Sequence, residues 1–61
     1  MQGADIKKLR TSMKLSQTVF GNKIGVTFLT IHRWESNKSR PHKSFIKKME
    51  RMQKGSNNEN V

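Results

Sequence analysis

Phe28, Leu29, His32 and Arg33 stand one, three and four positions apart, which crowds them onto one side of a helix. Together they carry the chemistry needed to read a nucleic-acid groove. Phenyl and isobutyl groups fit thymine methyls, an imidazole can donate to or accept from a base edge, and a guanidinium fork matches guanine. Each also has a plainer role. Phe28 and Leu29 fit a protein interface, or one of them packs into the core. His32 fits an incidental surface position. Arg33 fits a phosphate clamp, the commoner fate of a basic residue at such an interface. Just beyond them Asn37, Lys38, Arg40 and Lys43 gather in and after a loop. Charges so clustered suit a row of phosphates better than bare solvent, with a salt slope of about −0.9 per phosphate neutralised.

The composition points the same way. Thirteen Lys and Arg against four Asp and Glu give a net charge of +9 and a pI near 10.8. A small domain with such a surplus repels itself unless a polyanion neutralises it. Other classes are excluded or left without support. There is no cysteine, so disulfides and thiolate metal sites are out. Two histidines and four carboxylates make a protein metal cage unexpected. No apolar run nears the ~20 residues of a membrane span, and no signal-peptide core follows Met1, so a cytoplasmic location is expected. No nucleophile–base–acid set and no phosphate-cradling glycine loop suggest an enzyme. No cofactor or small-molecule ligand is implied.

The elements that must position these residues are short helices. Asp5 caps or opens the first, over about 5–13, with Ile6, Leu9 and Met13 on its inner face. Ser16 caps a second helix, opened by Gln17 and anchored by Phe20 and Ile24. Gly21 between them suggests a close crossing by another helix. Gly25 fits the left-handed residue after a helix end, and Val26 plugs the turn. Thr27 caps the third helix, about 28–36, with Ile31 and Trp34 inward. Asn37 fits a left-handed end. The last helix starts between Pro41 and Ser44, with Phe45, Met49 and Met52 inward and Ile46 beside them. Lys47, Lys48, Arg51 and Lys54 then form its solvated face. The fold class is all-α: a compact four-helix domain over 1–53, with a flexible polar tail, KGSNNENV, over 54–61. With only 31% hydrophobic residues, most of those must share one core.

The register resembles the lambdoid phage repressor and Cro-type (XRE-like) helix-turn-helix family from Ile6 to Met52. It is carried by Arg10, Leu15-Ser16-Gln17, Phe20-Gly21, Ile24 to Thr27, Ile31, Trp34-Glu35, Asn37-Lys38 and Arg40-Pro41. Leucine, alanine and glycine are usual in that family where Phe20, Gly21 and Asn37 stand here. Trp34-Glu35 and the basic loop are also similar to small prophage and antitoxin-type members. The resemblance implies a double-stranded DNA partner, with the third helix in the major groove. It implies phosphate contacts from Gln17 and from the loop residues Asn37, Lys38, Arg40 and Lys43. Thr27, first of all a cap, can add one through its hydroxyl. An Arg10–Glu35 ion pair would link helix 1 to the end of helix 3. A repressor acting as a weak homodimer, completed on DNA, would meet half-sites about 34–36 Å apart. An antitoxin or adaptor using the Phe28/Leu29 surface against protein is the alternative.

Overall fold

The computed structural model describes the backbone of residues 1–58 and the side chains of residues 1–53. These form four helices and no strand: α1 Gly3–Ser12, α2 Gln17–Ile24, α3 Phe28–Glu35 and α4 Lys43–Asn58. Their inner faces meet in one core of Ile6, Leu9, Phe20, Ile24, Ile31, Trp34 and Met49. Met13, Leu15, Val26, Phe45 and Met52 close its margins. The i, i+3, i+4 spacing of apolar residues therefore marks the buried side of every helix.

α1 begins two positions before Asp5. Asp5 lies in its first turn, where the carboxylate accepts from the Gln2 N–H at 2.9 Å. The earlier start depends on a distant acceptor: Asn37 Oδ1 takes the Gly3 N–H at 3.0 Å. Gly3 is itself buried against the end of α3. A Cβ there would stand 2.5 Å from the Glu35 carbonyl oxygen and 2.6 Å from that of Trp34. Only glycine allows the two helix ends to meet so closely. The α1–α2 connection turns through Lys14 at φ 58, a left-handed position held by a non-glycine residue.

α4 begins at Lys43, within the expected interval. His42 caps it: its carbonyl accepts from the Phe45 and Ile46 N–H groups at 2.9 and 3.1 Å. Its Nδ1 accepts from Ser44 N–H at 3.2 Å. Pro41 is buried and pins the preceding loop to the domain. The helical backbone continues to Asn58, although apolar periodicity stops near Met52. Of the stretch expected as a tail, 54–61, residues 59–61 lie outside the described residues. No described helix is long and apolar enough to cross a membrane.

Candidate nucleic-acid interface

The turn between α2 and α3 sets the geometry of the surface. Ser16 Oγ accepts from Val19 N–H at 3.1 Å and starts α2. Gly25, at φ 98, ends it in the left-handed region that glycine enters without a steric penalty. The Gly25 and Val26 N–H groups both return to the Gly21 carbonyl, at 2.7 and 2.9 Å. This corrects the expected role of Gly21. It admits the turn's own backbone rather than a crossing helix, since a Cβ would lie 2.6 Å from the Val26 carbonyl oxygen. Thr27 then caps α3, its Oγ1 accepting from Thr30 N–H at 3.4 Å and lying 3.2 Å from Thr30 Oγ1.

Burial fixes which way α3 faces. Ile31 and Trp34 are enclosed, and the Trp34 ring centroid is 5.5 Å from that of Phe45. The opposite side holds Phe28, Leu29, His32 and Arg33, all exposed. Phe28 keeps 55% of its surface and Leu29 45%, so neither packs into the core. Thr30 is half-buried at the edge.

The end of α3 is held by a polar clamp. Arg10 Nε and Nη2 donate to Glu35 Oε2 and Oε1 at 2.7 and 3.2 Å. The third arm, Arg10 Nη1, donates to the Leu15 carbonyl at 2.8 Å. The side chains are 14% and 6% exposed, so the pair is shielded and bidentate. Gln17 joins it, Nε2 donating to Glu35 Oε1 at 3.1 Å. α1, the start of α2 and the end of α3 thus share one carboxylate.

Besides Thr27, whose hydroxyl caps α3, two residues expected on phosphates have structural bonds as well. One Nε2 hydrogen of Gln17 is committed to Glu35. A phosphate, which only accepts, must use the other or the N–H groups at the start of α2. Asn37, at φ 62 as expected, gives Oδ1 to Gly3 and keeps Nδ2 as its donor. The loop after α3 is tightened by the Lys38 N–H bond to the Arg33 carbonyl at 2.9 Å. Lys38, Arg40 and Lys43 are exposed along it. Among the described residues Arg10–Glu35 is the only ion pair, so Arg33 and these loop cations have no carboxylate partner.

Lys48 is exposed, as expected, and has a second role that the sequence did not show. Its Nζ reaches the Ile24 carbonyl at 3.0 Å, satisfying an orphan acceptor at the end of α2. With Gly3, it belongs to the frame behind the surface. Neither role has a local signal, because each depends on an element remote in sequence.

A short helix presented by a tight glycine turn, buried along one side and chemically mixed along the other, defines a helix-turn-helix module. A family model described as helix-turn-helix matches residues 6–52, and the chain belongs to that family, of the XRE type. The family comprises DNA-binding regulators and is typically non-enzymatic. No curated protein and no solved structure matches the chain.

Proposed function

We propose that the chain is a sequence-specific regulator of transcription that binds double-stranded DNA and represses by occupying its site. α3 enters the major groove with Phe28, Leu29, His32 and Arg33 toward the bases. Gln17, Thr27, Asn37, Lys38, Arg40 and Lys43 hold the flanking phosphates. The observation that carries this reading is the outer face of α3. Its apolar and hydrogen-bonding groups are exposed together, their helix is fixed by the Arg10–Glu35 clamp, and unpartnered cations follow directly. Residues 1–53 serve as the binding domain and 54–61 as an appendage to it. The site of action is the cytoplasm, and the repressor role follows the likeness to small prophage regulators.

The active form is a dimer on a two-fold operator, with half-sites about one helical turn apart. It is weak alone and completed on DNA. The exposed large apolar residues among those described are Met1, Val19, Phe28 and Leu29. If Phe28 and Leu29 face the groove, little apolar surface remains for a strong partner contact. Selection of bound sites from a random duplex library tests the proposal. A two-fold motif is the expected product, and an unenriched pool overturns it. Substituting Arg33 should relax one base pair of that motif; a uniform loss across sequences makes it a phosphate contact.

The exposure of Phe28 and Leu29 also favours a second reading, an antitoxin or adaptor whose α3 grips a protein. Gel shifts on random duplex at several salt concentrations separate the two. Binding that weakens steeply with salt supports the DNA reading.

A further inference from the structure

Lys43, Lys47 and Arg51 recur every four residues along α4, opposite the side that buries Met49. All three are exposed. Among the described residues no carboxylate answers them: Glu35 is bound to Arg10, Asp5 accepts from Gln2, and Glu50 makes no ion pair. At 1.5 Å rise per residue the row advances about 6 Å per step, about 12 Å in all. A duplex carries one charge per ~1.7 Å of its axis, so a row of that length spans several phosphates. The row also starts at Lys43, where the basic loop of Lys38 and Arg40 ends.

We infer that this row is a second strip of phosphate contact, which takes up the backbone of the same duplex beyond the groove site. It rests on the DNA-binding reading, with Lys43 as the hinge between loop and strip. Lys47 and Arg51 add affinity without sequence preference, because phosphates carry no base information.

The test compares the native chain with the K47Q/R51Q variant on random-sequence duplexes of one turn (about 10 base pairs) and three turns. The quantity read is the slope of log K against log salt. On the long duplex the variant's slope is shallower by about 1.8, or 0.9 per lost contact. Its gain in affinity from 200 down to 50 mM salt is then about 12-fold smaller than the native chain's. On the short duplex the two slopes agree. K47R/R51K keeps the native slope, and helicity by circular dichroism is unchanged in both variants.

Equal slopes on the long duplex overturn the strip while leaving DNA binding by α3 standing. A reduction of the same size on the short duplex places the row inside the groove footprint and overturns it too. So does a variant that loses only the pairing of two differently labelled duplexes, for the row then bridges separate molecules. A native chain with no salt slope on either duplex fails the DNA-binding reading itself.

Discussion

Replacing Glu35 with alanine tests the clamp where the geometry is most demanding. The substitution leaves the Arg10 guanidinium, 14% exposed, with the Leu15 carbonyl as its one remaining partner. It also removes the acceptor of Gln17 Nε2. Breaking a buried pair by deleting one member costs about 3–5 kcal/mol, against under ~1 for an exposed pair. Arg10 retains some solvent, which puts the expectation at the lower end, about 3 kcal/mol. A domain of this length has a total stability of about 3–9 kcal/mol at 0.05–0.15 per residue. The variant should therefore lose between a third and all of its stability. Urea unfolding, followed by fluorescence of the sole tryptophan, Trp34, and by far-ultraviolet circular dichroism, measures the loss. Arg10→Met should cost a similar amount, because it leaves a charged carboxylate only 6% exposed with the neutral Gln17 amide as its one remaining partner. The double variant R10M/E35A should be more stable than either single one, since it leaves no unpaired charge behind. A loss under ~1 kcal/mol for E35A, or a double variant equal to the sum of the singles, refutes the reasoning.

Other substitutions probe the frame around the clamp. Gly21→Ala gains about 1 kcal/mol of helix propensity. The new Cβ meets the Val26 carbonyl oxygen at 2.6 Å, so the net result should be a loss of ~1–3 kcal/mol. A raised melting temperature would contradict the close approach. Asn37→Gly keeps the left-handed backbone and loses the Gly3 cap, at about 1 kcal/mol. Asn37→Ala adds a left-handed penalty of ~1–2 kcal/mol, so alanine should melt below glycine. Lys48→Met removes the bond to Ile24 and should lower stability by under ~1 kcal/mol. The difference from native should shrink as salt is added to the melts.

Most of the frame was legible because its signals are local. Ser16 and Thr27 announce helix starts through hydroxyls that can bond two or three residues on. Gly25 and Asn37 announce ends through a backbone conformation few residues accept. Ile31 and Trp34 give the orientation of α3 by spacing alone. What escaped depends on distance along the chain. Nothing around Gly3 says that Asn37 will cap it, or that α3's final carbonyls will fill the space of its missing side chain. Lys48 looks like its basic neighbours until α4 is laid against the end of α2. Gly21 was legible as a close contact but not as to its partner, because glycine reports only that something comes near. The bond from Gln17 to Glu35 likewise needs the two helix termini side by side. For Phe28, Leu29, His32 and Arg33, sequence and fold agree on exposure, and the selection experiment identifies what they touch.

α3 is eight residues long. Alone it falls well short of the ~12–15 residues at which a helix becomes even marginal in water. Its helicity is lent by the core under Ile31 and Trp34 and by bonds to partners 25 and 34 positions earlier in the chain. Such a helix has no private route to loosening: to open it, α1 must let go first. Its hydrogen-bonded amide hydrogens, from Ile31 onward, should exchange with solvent at the rate of global unfolding, as slowly as those of the core around Ile6. In kinetic terms the surface exists whole or not at all. A partner meets a finished helix, and the speed of association is set by diffusion and charge, with no folding step to await.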